Sequence, residues 1–111
     1  MKAYIYKAQD TGLIHAICKT YGIKIATKQG VSLEIDLFII DITKPTATVR
    51  FLLAHALLQN KKTLCLYSKH NQPYHLIAMI KKQSQHHFVT ITPYTAENLE
   101  NKIIQFVSNL H

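Results

Sequence analysis

The chain has 111 residues, 48% hydrophobic and 17% charged, which is the make-up of one globular domain over 1–111 rather than of a disordered or fibrous chain. Thirteen Lys and Arg against six Asp and Glu give a formal charge of +7 and favour anionic partners, although the basic residues are scattered along the sequence and form no run with interleaved aromatics. The apolar runs fall far short of the roughly 20 residues of a membrane span and no secretory pattern follows Met1, so no membrane association and a cytoplasmic location are expected.

Residues 2–6, with Tyr4 and Tyr6, read as a first strand. Asp10, Thr11 and Gly12 then open a helix over 11–21, in which Leu13, Ile14, Ile17, Cys18 and Tyr21 recur at helical spacing until Gly22 closes it. A short strand over 23–26 and a turn at Lys28, Gln29 and Gly30 lead to a third strand, 36–42, built on the apolar run Leu37 to Ile40. The helix over 46–59 and a strand over 62–67 follow. After a polar loop, 68–73, come a short helix over 75–82, an edge-type strand over 88–92, and a last helix carrying Leu99, Ile103, Ile104, Phe106, Val107 and Leu110. Thr95 and Asn98 ahead of it resemble a weakened capping box. Strands alternating with helices predict an α/β fold: a flavodoxin-like, doubly wound, five-stranded parallel sheet in a three-layer α/β/α arrangement.

The segment from Asp36 to Tyr67 reads as a complete βαβ crossover, and sheets of this kind bind ligands at the carboxyl ends of their strands, here the loop from Asp41 to Thr48. The threonines Thr43, Thr46 and Thr48 offer hydroxyls and amide groups at a helix N-terminus, with Arg50 one turn in, a seat for a phosphate-bearing ligand. The competing expectation is that one threonine merely caps the helix and Pro45 opens its first turn. Asp41, ending a central strand, is a candidate general base or ligand-orienting group, or else a carboxylate bonded to its own turn. Asp10 is the second candidate acid, or the cap of the first helix.

Seven histidines show no HxxxH or HxH spacing, and Cys18 and Cys65 form no CxxC pair, so no metal or cofactor is expected and both cysteines are expected as reduced core residues. Lone His55 reads as a helix-packing or interface residue. The helix from Val49 to Leu58 is apolar nearly all round, which predicts a homodimer through it.

The run D-x-x-I-x-D-x-T-x-P, then NKKTLCLY, LIAMIKK and FVTITPY before a terminal helix, resembles the nucleoside 2-deoxyribosyltransferase superfamily, and especially its small deoxynucleoside monophosphate N-glycosidase branch. The resemblance covers residues 36–107 and implies a flavodoxin-like homodimer with a pocket for a nucleoside or nucleoside monophosphate. It also implies a glutamate nucleophile in a motif like S-x-G-V-G-Y-E-L-G, which meets Thr46 to Ala54 here and places Leu52 where the glutamate belongs. The motif's glycines meet Thr48 and Arg50, Lys7 to Asp10 replace the loop after the first strand, and Lys28 and Gln29 stand near a lost acid. Ile77 stands where the partner subunit would supply a serine. Tyr4 matches a pocket residue.

The sequence therefore points to a non-catalytic, dimeric relative with the catalytic motif degenerate, in effect a pseudoenzyme with a nucleotide-sized crevice. An active N-glycosidase or deoxyribosyltransferase using Asp41 or Asp10 is the alternative, and a basic adaptor for nucleic acid or a protein partner is the third.

Overall fold

Each apolar run finds a parallel partner in the structure, a computed structural model that describes residues 1–6, 11–26, 35–83 and 88–109. The strands are β1 (Lys2–Tyr6), β2 (Lys24–Ile25), β3 (Leu37–Asp41), β4 (Lys62–Ser68) and β5 (Val89–Tyr94). Four helices connect or follow them: α1 (Thr11–Thr20), α2 (Ala47–Leu58), α3 (Tyr74–Gln83) and α4 (Leu99–Ser108). The sheet order is β2-β1-β3-β4-β5 with every pairing parallel, the flavodoxin-like order that the alternating pattern predicts.

Side chains alternate across the sheet and build two cores. On one face Ala3, Leu37, Ile39, Leu64 and Leu66 pack against Ile14, Ile17 and Cys18 of α1 and Ile103, Phe106 and Val107 of α4. On the other, Phe38, Ile40 and Cys65 pack against Val49, Leu52, Leu53 and Ala56 of α2 and Leu76 and Ile80 of α3. All five residues of β3 are buried, as a central strand covered on both faces requires. Each large aliphatic side chain so buried contributes roughly 1.5–3 kcal/mol of transfer free energy.

The helix ends follow local chemistry. Thr46 caps α2 by accepting the Val49 N–H at 3.3 Å, with Pro45 one residue before the cap rather than in the first turn. α1 and α2 both end in left-handed residues, Gly22 at φ 74° and Asn60 at φ 54°. The amide after each reaches back five residues, Ile23 to the Cys18 carbonyl at 2.8 Å and Lys61 to the Ala56 carbonyl at 3.0 Å, which closes the last turn. Before α4, the Asn98 side chain accepts the Thr95 N–H at 2.7 Å, one arm of the expected capping box, while no side-chain bond caps the helix itself.

Several element bounds shift by one or two residues from the sequence pattern. β5 runs on to Tyr94 through Pro93, which an edge strand tolerates because the missing N–H falls outside the ladder. α3 starts one residue earlier and ends one later than expected, and β2 shortens to two residues. Asp10, Lys28, Gln29 and Gly30 lie outside the described residues. No helix among those described is long and apolar enough to cross a membrane.

Candidate functional site

Parallel strands with helical returns bring all strand carboxyl ends and helix N-termini to one end of the molecule, where a cavity of about 350 Å³ opens. Asp41, Thr43, Lys44 and Thr46 line it from the β3–α2 connection, Ser68 and Asn71 from the end of β4 and the turn beyond. Tyr6 and Tyr94 enter from the ends of β1 and β5. The volume lies in the range of about 300–1,000 Å³ common for small-molecule sites.

Asp41 is the hub. Its Oδ1 accepts the Thr43 N–H at 2.9 Å and the Thr43 hydroxyl at 2.6 Å, and its Oδ2 accepts the Tyr94 hydroxyl at 2.7 Å. Thr43 Oγ1 in turn accepts the Ser68 N–H at 2.9 Å, so one carboxylate ties together the ends of β3, β4 and β5. Asp41 is 9% exposed, and a carboxylate at that depth is sustained by hydrogen bonds of this number and length. Burial, first, and then the hydrogen bond to the Asp41 carboxylate and its charge push the Tyr94 hydroxyl up to about 12 from its ordinary 10.0. Tyr94 therefore stays protonated, and the donor of the clamp is permanent at neutral pH.

The other candidates are placed differently. Thr46 lines the cavity and spends its hydroxyl on the α2 cap. Thr48 is exposed in the first turn of α2 and does not line the cavity; Arg50 is also exposed, and its Nε donates to the Pro45 carbonyl at 3.5 Å. Tyr4 packs in the α2/α3 core with its ring centroid 5.9 Å from that of Phe38, away from the cavity lining. Leu52 is 3% exposed in the same core.

Of the lining residues, Tyr6, Lys44, Val49, Ser68, Asn71 and Tyr94 were not singled out as candidates by sequence pattern. Tyr6 and Tyr94 carried a usable signal, because each is the last residue of a parallel strand and so must stand at the crevice. Pro93 hid the second by appearing to end β5 early.

Elsewhere, His55 is half-buried on α2, its ring edge-on to Phe38 at 6.2 Å and tilted against Phe51 at 6.5 Å. Phe51 and Leu58 on the same helix are 59% and 81% exposed. Cys18 and Cys65 are buried and free, and burial pushes the Cys65 thiol up to about 12, which keeps it a packing group. Among the described residues no group of three or more His, Cys, Asp or Glu side chains could hold a metal ion.

No protein-family model matches the chain, and no curated protein matches its sequence. Its structure is similar to that of a CMP N-glycosidase from Clostridium botulinum, BcmB, with a TM-score of 0.64 and 18% identity over 98% of this chain and 99% of that one. The chain thus shares the fold of that N-glycosidase.

Proposed function

We propose that this chain is a non-catalytic, cytoplasmic binding module with the deoxyribosyltransferase-like fold, which takes a nucleotide or related phosphate-bearing ligand in its crevice and works as a homodimer. The observation that carries the reading is the engagement of Asp41 by the fold, which takes three of the carboxylate's roughly four lone-pair positions. A general base needs a free lone pair directed at substrate, whereas both oxygens of Asp41 already accept short hydrogen bonds from the fold itself. Leu52, where the resemblance puts the glutamate, is core packing and offers no nucleophile.

For the ligand, the support is the chemistry of the lining. Lys44 supplies a cation beside the N-terminus of α2, Tyr6 an aromatic face, and Ser68 and Asn71 polar groups. For the homodimer, the support is the apolar surface that α2 keeps exposed at Phe51, Ala54 and Leu58.

The test is incubation with CMP and the other nucleoside monophosphates, followed by chromatography for free base, beside thermal unfolding with the same compounds. No base release is expected, together with a nucleotide-dependent rise in the midpoint that Lys44→Gln reduces. Base release that disappears in Asp41→Asn protein would overturn the non-catalytic reading, and an unmoved midpoint with every nucleotide would overturn the crevice reading. Light scattering checks the assembly: a dimer that Phe51→Glu converts to monomer is expected, and a wild-type monomer at micromolar concentration would sink it.

A further inference from the structure

The parallel topology that gathers strand ends at the crevice gathers strand starts and helix ends at the opposite end. Lysines that are scattered in sequence meet there. Lys2, Lys24 and Lys62 stand on β1, β2 and β4 at their starts, Lys61 just before β4, Lys19 in the last turn of α1, and Lys81 and Lys82 in the last turn of α3. Register places Lys2 beside Lys24 and Leu37 beside Lys62, so these starts are level with one another.

Among the described residues, Asp36 is the one acid at this end, exposed and accepting the Lys2 backbone N–H at 2.8 Å. Lys19, Lys24, Lys61, Lys62, Lys81 and Lys82 make no ion pair within the described residues. The helix C-termini subtract from this field, each carrying about half a negative elementary charge, too little to neutralise seven lysines.

A second feature adjoins the patch. Lys62 also lines a groove of about 330 Å³ between β5 and α4, with Thr90, Lys102, Gln105 and Asn109. It offers ammonium, amide and hydroxyl donors along one track, the donor set that holds a phosphate backbone.

We propose that the lysine-lined end of the sheet, with the β5–α4 groove, is a docking surface for nucleic acid bound through its phosphates and without sequence preference. Lysine is a compact point charge on a flexible stem and contacts phosphate without the fixed fork that reads a base edge. No arginine stands at this end, since Arg50 is at the N-terminus of α2. An anionic membrane is disfavoured because, among the described residues, the exposed large apolar ones here are Met1 and Leu58, with no exposed aromatic to sit in a lipid interface. The surface is independent of the crevice, and its failure would leave the ligand reading untouched.

The test is fluorescence anisotropy of the full chain with a labelled, mixed-sequence single-stranded RNA across a salt series. Four lysines engaged on a single strand give a log–log salt slope of about −3. The Lys61→Gln, Lys62→Gln, Lys81→Gln, Lys82→Gln variant is expected to weaken binding at least about tenfold and flatten that slope, because each released phosphate contact removes its counterion term. Lys69→Gln, after β4 at the crevice end, is expected to change neither. If the quadruple variant folds poorly, Lys81→Gln with Lys82→Gln on α3 alone gives the same comparison at half the slope change. Absent binding at low salt, a salt-independent affinity, or equal losses in the Lys69 control would overturn the proposal. So would co-sedimentation with phosphatidylserine vesicles at a salt concentration that already releases RNA.

Discussion

The two ends of the sheet are made by one topology and are chemically opposite. At the crevice end the described charges are Lys44, Arg50, Lys69 and Lys102 against Asp41, Glu97 and Glu100, and the buried carboxylate among them accepts three hydrogen bonds from the fold. At the other end seven lysines face one exposed acid. The helix dipole selects for this division, since N-termini accept hydroxyl caps and carboxylates while C-termini accept cations and left-handed closing residues. The difference teaches where each end keeps its free energy. Hydrogen-bonded polar contacts stabilise the crevice end, and the gathering of like charge makes the lysine end cost stability while leaving it available to an anion.

The sharpest way to break that contrast is at Asp41. Replacing it by Ala removes the acceptor for the Tyr94 hydroxyl and the Thr43 amide and hydroxyl at once, and truncating one side of a buried, charge-assisted network costs about 3 kcal/mol. Urea unfolding is expected to show that loss in the midpoint with an unchanged slope. A loss below about 1 kcal/mol would mean that the carboxylate is solvated and available, and the crevice end would no longer count as satisfied.

Tyr94→Phe is the next largest, at about 1–2 kcal/mol, because it strips one donor from Asp41 Oδ2 and leaves the ring in place. The same residue gives the contrast a pH signature. Its folded hydroxyl titrates at about 12 against 10.0 unfolded, so the neutral form is the one the fold prefers. That stability is fully present below pH 10.0 and is lost as pH rises toward 12, where the unfolded chain releases its proton first. Wild type is expected to lose stability more steeply than Tyr94→Phe across that window, and parallel curves would show that Tyr94 is not the group responsible.

Much of the contrast was legible in the sequence, unevenly. The apolar run Leu37 to Ile40, the helical spacing of α1 and α4, and Gly22 as a stop all follow from patterns a few residues long, and they suffice for an all-parallel fold. Asp41 was legible as a crevice residue because it ends the central strand. Its bond to the following turn was the alternative the sequence offered, and Thr43 makes it; its link to β5 was not legible, since that partner, Tyr94, stands 53 positions away behind a proline that resembles a strand break. Thr48 and Arg50 were legible as first-turn residues, but which side of a helix faces a cavity is a tertiary fact. The lysine end has no local signature at all. Its residues become neighbours only once strand order and direction are fixed.

A smaller effect of opposite sign belongs to the lysine end. Asn60 closes α2 in the left-handed region at φ 54°, where a side chain costs free energy that glycine avoids. Asn60→Gly is expected to stabilise by about 0.5 kcal/mol, read as a raised urea midpoint, and Asn60→Ala to destabilise by about 1 kcal/mol. The pair separates the backbone conformation from any role of the amide group, because both variants lack it.

Lys81→Gln with Lys82→Gln gives the smallest stability change and the most discriminating one. Two terms of similar size oppose each other. Each lysine gains from the C-terminal dipole of α3, by about 0.3–1 kcal/mol at low salt, and repulsion among seven lysines gathered at one end takes a comparable amount away. The variant's stability is therefore expected to stay within about 0.5 kcal/mol of wild type, the range of surface changes that touch no special feature. Added salt screens the dipole term and the repulsion alike, so raising salt is expected to stabilise wild type more than the variant if repulsion is the larger of the two. Should the variant instead lose more than about 1 kcal/mol in low salt, these lysines act as caps that α3 needs, and the field at that end is a by-product of helix termination. A near-zero change combined with a large loss of RNA affinity points the other way: charge held at a fixed place by the topology, with no structural use for it.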